Sequence, residues 1–331
     1  FVLINLAIVA LLYVGANRVQ GGFIVRSSVV AEYNYMSQIL VELIKMADLI
    51  INMTKAAACA DRIGAVLTIE NDQREGSQRQ TRRGAVEFRN VTAQYAGAGD
   101  ASLTDIDFSV APGKTVGIIG GTGSGKTTLV NLIPRLYDAA QGQVLLDGKN
   151  VADYDLESLR SQIGLVPQKA VLFQCTIREN LLWGNPQAKD EELWDALKVA
   201  QAEEVVKGKP KGLEEPVEQG GMNFSGGQRQ RLTIARGLVR RPKILILDDS
   251  ASALDYATDA NLRMAIRAME NPPTTFIVSQ RAASVRFADE ILVLDDGRLV
   301  GKGTHEALLE SCPVYQEIYY SQFPKEAAEN G

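Results

Sequence analysis

Three short segments hold the residues that could do chemistry: GGTGSGKTT at residues 120–128, ILILDDS at 244–250 and FSGGQ at 224–228. Gly120, Gly125, Lys126 and Thr127 match the spacing G-x-x-x-x-G-K-[ST], with Gly121, Thr122, Gly123 and Ser124 between them and Thr128 after. Glycines let such a loop curl so that consecutive amide N–H groups face phosphates, and the helix N-terminus that follows adds a favourable dipole. Lys126 would reach the β- and γ-phosphates, and the Thr127 hydroxyl would ligate magnesium. The apolar run before Asp248 describes a buried strand that delivers a carboxylate near the phosphates and metal. In FSGGQ, Ser225, Gly226 and Gly227 offer a hydroxyl and backbone amides at the start of a helix, a second anion-binding terminus. The first two segments together predict a nucleoside triphosphatase fold.

The elements that must position these residues follow from hydrophobic patterning. TVGII before the glycine loop reads as a strand and TTLVNLIPRL after it as a helix, the context the loop requires. Short β-branched runs, AVEFRNV, KTVGIIG, QVLLDG, KILILDD, TTFIVS and EILVLDDG, alternate with helical stretches, the signature of an α/β domain. Ahead of them residues 70–84, ENDQREGSQRQTRRG, carry no apolar side chain and read as a solvated linker. The predicted organisation is therefore a domain over 1–69, a linker over 70–84 and a second domain over 85–331.

The opening run FVLINLAIVALLYVGA has no charged region before it and no small-residue cleavage site after it, so it reads as a cut helix rather than a signal peptide. Residues 1–16 would span only part of a bilayer, which takes about 20 apolar residues to cross. After a turn at 17–22, helix-compatible sequence runs from Phe23 to about Leu67, roughly 65 Å and about twice the hydrocarbon thickness. Its polar interior groups, Glu32, Asn34, Gln38, Glu42 and Lys45, suit a polar cavity or neighbouring helices better than lipid. A long soluble helix is the alternative reading of the same pattern. Arg18 and Arg26 flank the turn placed outside the cell, against the positive-inside tendency.

Composition bounds the function. The 331 residues are 46% hydrophobic and 23% charged, the balance of folded protein, and with a net charge of -5 neither half of the chain is basic enough to suggest nucleic acid. Cys59, Cys175 and Cys312 match no metal or redox spacing and read as reduced thiols. No internal repeat and no coiled-coil insertion interrupts the chain.

In order and type, these motifs resemble those of ATP-binding cassette (ABC) proteins, whose signature is commonly LSGGQ where this chain has Phe224 first. The resemblance implies that Ser225, Gly226, Gly227 and Gln228 close over ATP held by the phosphate loop of an opposite cassette, so that one complete site needs two cassettes. It further implies that Tyr95 stacks on adenine and that Gln168 links magnesium to the membrane domain. Residues 252–255, ending in Asp255, would cross the dimer interface, and Glu218 would contact the coupling helices of an exporter. Thr127, Gln168 and Asp248 would hold Mg2+. The amino-terminal stretch is similar to the last membrane helices of such an exporter, with AAACADRIGAVL at the junction. The resemblance covers essentially the whole chain and is strongest over 87–309.

The implied fold is the C-terminal part of an all-α transmembrane domain (two helices), followed by an α/β P-loop NTPase nucleotide-binding domain of ABC type. The implied function is that of an ATP-binding/permease subunit, multi-pass in a bacterial plasma membrane with its nucleotide-binding domain cytoplasmic. ATP and Mg2+ are the implied cofactors. A second half-transporter subunit, membrane lipid and an exported small molecule, lipid or peptide are the implied partners.

Two positions depart from the family pattern. Asp249 stands where the family usually has the glutamate that polarises the attacking water, and Gln280 where it usually has histidine. A catalytic group displaced by about 1 Å can cost on the order of a hundredfold in rate. A neutral amide hydrogen-bonds a phosphate but takes no positive charge. His305 cannot fill the gap and reads as an exposed residue in a helix capped by Thr304. The expectation is a degenerate site, a weak ATP hydrolase, in one half of a heterodimer. A homodimeric exporter with slow but competent sites is the alternative, and a soluble cassette ATPase is the alternative from another class.

Overall fold

The computed structural model describes residues 2–69, 73, 76–77, 83–95, 97, 99–250 and 252–324, in two compact units, Phe1–Asp72 and Gln73–Gly331. The first unit is a helical hairpin of α1 (Val2–Gln20) and α2 (Arg26–Leu67). Helix α1 runs on through Asn17, where the sequence predicted a turn, because nothing before Gly21 breaks it; Gly22, at φ 75°, ends it. Val25 is extended, so α2 begins at Arg26 rather than Phe23. The two helices approach where Gly15 faces Val29, whose side chain would lie 2.8 Å from a Cβ at position 15.

No helix among the described residues is long and apolar enough to cross a membrane. Helix α2 has 42 residues, but Glu32, Glu42, Lys45 and Asp48 interrupt its apolar sequence. Glu42 and Lys45 pair at 2.7 Å along the helix. Ile39, Leu43, Ile50 and Met53 of the same helix are each more than half exposed.

The second unit contains strands β1 (Val86–Ala93), β2 (Leu103–Val110), β3 (Thr115–Gly120), β4 (Gln141–Leu146), β5 (Lys149–Asn150), β6 (Ile163–Val166), β7 (Ile244–Asp248), β8 (Thr274–Val278), β9 (Glu290–Asp295) and β10 (Arg298–Gly303). Its helices are α3 (Lys126–Leu132), α4 (Leu156–Ser161), α5 (Ile177–Leu182), α6 (Asp190–Val199), α7 (Glu203–Lys207), α8 (Gly226–Val239), α9 (Tyr256–Arg267), α10 (Ala282–Val285), α11 (His305–Ser311) and α12 (Pro313–Gln322). An antiparallel sheet runs in the order β2-β1-β4-β5, and a second sheet in the order β10-β9-β3-β8-β7-β6. Every pairing in the second sheet is parallel except that of the edge strand β10 with β9.

The parallel strands explain why their sequences are continuously apolar: both faces of that sheet are covered. Side chains alternate between two cores. Ile119, Leu245, Leu247, Ile277, Ile291 and Val293 join the helical side. Ile118, Ile244, Ile246, Phe276, Val278 and Leu292 join the side shared with the antiparallel sheet. That sheet buries mainly one face, and its cross-strand partners Phe88 and Phe108 stack with ring centroids 4.6 Å apart.

Most of the expected linker lies outside the described residues. Among those that are described, Gln73, Gly76, Arg83 and Gly84 touch the rest of the second unit. The Gln73 amide donates to the Arg135 carbonyl at 3.0 Å, and Gly76 leaves no room for a Cβ against the Asp153 backbone. The Asp147 carboxylate accepts the backbone N–H groups of Arg83, Gly84 and Ala85 at 2.8, 3.1 and 2.8 Å.

His305 is half-buried, not exposed as its sequence context suggested. Thr304 does cap the helix, accepting from Ala307 N at 3.4 Å, but the His305 Nδ1 meets the hydroxyl of the fully buried Tyr315 at 2.8 Å. The ring sits against Tyr319 as well, in a cluster that α11 and α12 build together.

Phe276 lies fully buried in the middle of the parallel sheet, in register with Val116 on β3 and Ile246 on β7. Phe276→Ala is expected to lower stability by about 3–5 kcal/mol through lost burial and a residual cavity. Urea unfolding followed by tryptophan fluorescence checks it, because both tryptophans, Trp183 and Trp194, belong to the second unit.

Candidate functional site

Parallel strands all point their carboxyl ends one way, and in this unit five of them end around a single cleft of about 460 Å³. Strand β3 ends at Gly120, where a Cβ would fall 2.1 Å from the Leu294 carbonyl of β9; only glycine fits between the strands there. Gly123 and Gly125 take φ of 83° and 94°, in the left-handed region, and carry the chain round into α3. The helix ladder then starts with Leu129 N–H donating to the Gly125 carbonyl at 2.9 Å. Thr122, Gly123, Gly125, Thr127 and Thr128 line the cleft; Gly120 and Ser124 are buried and Gly121 is exposed, none of the three lining it.

Lys126 folds back under this loop. Its Nζ donates to the Gly120 carbonyl at 2.9 Å, to the Gly121 carbonyl and to the Ser124 hydroxyl at 3.3 Å. The residue is only 8% exposed, and burial pulls the ammonium below its ordinary pKa against the opposing pull of Asp249 and Asp248. Asp248, at the end of β7, is 6% exposed; burial raises its carboxyl above the ordinary value, partly offset by the Thr127 hydroxyl that donates to its Oδ1 at 3.2 Å. A buried cation, a buried carboxylate and a hydroxyl thus meet at the foot of a loop of backbone amides. That donor set fits a phosphate chain with a hard divalent cation, Lys126 taking the anion, and Thr127 and Asp248 offering the oxygens such a cation prefers.

Asp249 follows in a left-handed conformation at φ 44°, which few residues other than glycine, asparagine and aspartate adopt. Its N–H is tied to the Val278 carbonyl of β8 at 2.9 Å. Its Oδ2 accepts from the Gln168 amide at 3.2 Å, so the two residues face each other across the mouth of the cleft. Gln280 lines the same cleft just past β8, and its side-chain amide takes no partner among the described residues. Tyr95 closes one end. Its hydroxyl meets Thr128 Oγ1 at 2.9 Å and its ring stands edge-on to Tyr137, with centroids 4.9 Å apart.

The remaining predicted residues lie elsewhere in the unit. Ser225 is the N-cap of α8 and forms a reciprocal capping box: its hydroxyl accepts from Gln228 N at 3.3 Å, and Gln228 Oε1 accepts from Ser225 N at 3.0 Å. Gly226 has open space where a Cβ would stand, and a Cβ at Gly227 would lie 3.2 Å from the Ala253 carbonyl, so the loop at 252–255 abuts the start of α8. Asp255 caps α9 through Thr258 N and Oγ1 at 2.9 and 2.7 Å, bonds that hold its carboxyl below the usual range. Glu218 is exposed, with its backbone N–H donated to Asn223 Oδ1 at 3.1 Å.

Sequence reading missed the far wall of the cleft, made by Ser102, Ser279, Asp296 and Gly297. Asp296 and Gly297 both have positive φ, 43° and 72°, and join β9 to β10 in a two-residue hairpin. Gly297 accepts Thr104 N–H at 2.8 Å and so brings the antiparallel sheet to the cleft. The Asp-Gly pair after an apolar run was the available signal.

A protein-family model described as ABC transporter matches residues 103–252. Over 329 residues the chain is 44% identical to the uncharacterized ABC transporter ATP-binding protein YfiB of Bacillus subtilis, covering 99% of this chain and 57% of that protein. It is 41% identical over 243 residues to a Staphylococcus aureus protein provisionally described as a multidrug export ATP-binding/permease protein, covering 73% of this chain and 42% of that one. Among solved structures, a bacterial Atm1-family ABC exporter with ATP bound matches with a TM-score of 0.76 and 30% identity, over 97% of this chain and 57% of the exporter chain. The chain thus spans about half the length of the curated relatives it matches. The cleft of the second unit lies in an ABC transporter ATP-binding domain, and the chain is homologous to ABC exporter ATP-binding/permease proteins.

Proposed function

We propose that this chain is the carboxy-terminal part of an ABC exporter subunit, with two membrane helices over 1–69, a linker over 70–84 and a nucleotide-binding domain over 85–331. ATP is held by the loop of Gly120–Gly125, Lys126 and Thr128, with Tyr95 against the base. Mg2+ is held by Thr127, Asp248 and Gln168. The Thr127–Asp248 contact beneath the glycine loop is the observation that carries this reading, since it brings together two hard oxygen donors of the kind a divalent cation prefers.

The apolar side chains exposed along α2 support a covering of lipid or further helices around the first unit. Its charged residues and the Glu42–Lys45 pair then face the interior of a larger bundle. On this reading the protein is multi-pass in a membrane, with its nucleotide-binding domain cytoplasmic. The exported molecule is a small molecule, lipid or peptide.

The site is built to hold ATP better than it splits it. Asp249 is one methylene shorter than the glutamate of the family pattern, and the amide of Gln168 already occupies one of its oxygens. Gln280 offers the γ-phosphate a neutral donor where a cation would stabilise developing charge. Ser225–Gln228 would act on a partner's nucleotide, with Asp255 at that interface and Glu218 towards the membrane helices. The partner is then a different half-transporter that supplies the hydrolysing site. ATP binding closes the two cassettes, and the difference in binding energy between the open and closed states drives the membrane helices.

Magnesium-ATP binding and turnover by the full chain test this reading. Lys126→Ala is expected to abolish tight binding, because it removes the buried cation that meets the phosphates. Asp249→Glu with Gln280→His is expected to raise a negligible native turnover by on the order of a hundredfold. Brisk native turnover, unchanged by the double substitution, would overturn the degenerate site and favour a homodimer.

A further inference from the structure

The last turn of α12 reaches back to the segment that carries Gln280. Gln322 Nε2 donates to the Gln280 carbonyl at 2.8 Å, and Gln322 Oε1 accepts from Ala282 N at 2.9 Å. One side-chain amide therefore bridges the two peptide groups on either side of Arg281, as a neighbouring strand would. Ala282 opens α10, whose N-cap residue Arg281 offers no side-chain acceptor, so Gln322 supplies the acceptor that a helix start lacks.

The other side of the segment is equally fixed. Ser279 N donates to the Ile118 carbonyl of β3 at 3.0 Å, and Ser279 Oγ accepts from Arg281 N at 3.0 Å. Gln280 thus lies between a sheet anchor and the Gln322 clamp, its backbone held from both sides while its side chain lines the cleft. The clamp itself stands on firm ground: Tyr315 and Tyr319 of α12 are buried, and Tyr319 stacks on Phe323 with centroids 4.7 Å apart. Gln322 is exposed, so its packing alone gives little reason for glutamine at this position.

We infer that Gln322 is a positioning residue for the nucleotide site, fixing the backbone on either side of Arg281 so that the Gln280 amide meets the γ-phosphate. This rests on the proposed role of Gln280. A neutral donor gains less from charge than a cation and depends more on direction, so a clamp on its backbone matters more. The contact also ties α12 to a part of the cleft that would meet the γ-phosphate, the group by which ATP differs from ADP.

The test compares ATP with ADP affinity in the full chain, using competition against a fluorescent ATP analogue, for native protein, Gln280→Ala, Gln322→Ala, Gln322→Glu and the double alanine variant. Gln322→Ala is expected to weaken ATP about tenfold, the worth of one hydrogen bond to a charged group, and to leave ADP within about twofold. Gln280→Ala should match it, and the double variant should be no weaker than either single. Gln322→Glu, of the same shape but without the amide donor, should reproduce the loss. Equal weakening of ATP and ADP by Gln322→Ala would mean general damage and overturn the inference, as would unchanged ATP affinity beside a selective loss in Gln280→Ala. If Gln280→Ala itself leaves the ATP-to-ADP ratio unchanged, the role of Gln280 falls and the inference with it.

Discussion

Everything at the cleft depends on a parallel sheet whose two faces are both buried. Because side chains alternate along each strand, β3, β7, β8 and β9 carry consecutive apolar residues through their middles, and neighbours such as Ile118 and Ile119 enter different cores. Parallel pairing then brings the carboxyl ends of the strands to one edge. Gly120, Asp248, Val278 and Asp295 finish their strands there, and these strand ends together with the residues just beyond them line the cleft. The chemistry is thus delivered by strand ends that the two cores hold in register.

The cost of this placement falls on the charges. Lys126 and Asp248 are both nearly sequestered, and burial disfavours the charged form of each. Lys126 recovers part of the loss by donating to the carbonyls of its own loop, and Asp248 by accepting from Thr127. A phosphate chain with a divalent cation would answer both groups at once, a gain that partly desolvated charges can make and solvated ones cannot. The strained Asp249, at φ 44°, shows the same economy: its backbone is tied to β8 while its carboxylate stays at the cleft mouth.

Much of this was legible in the sequence, for local reasons. The glycine loop declares itself because its spacing encodes backbone conformation, and Asp248 because four apolar residues precede it. The edge strand β10 was harder to see: its residues alternate exposed and half-buried, and it is found through the Asp296–Gly297 turn that feeds it. Helix α1 overran its expected end because Asn17, Arg18, Val19 and Gln20 tolerate helix and only Gly21 and Gly22 stop it. The burial of His305 and the clamp from Gln322 were invisible because their partners come from other elements, Gln322 lying 42 positions from Gln280. Local chemistry could be read in advance, whereas contacts between distant segments needed the fold.

The most direct measurement is the identity of the nucleotide retained by the full chain after prolonged incubation with ATP and Mg2+, isolated with the protein and resolved by chromatography. Retention as ATP is the result that the proposed reading predicts, in which the cleft holds the phosphates and the metal while Asp249 and Gln280 do little to activate water. Retention as ADP, or no magnesium-dependent retention at all, would contradict it.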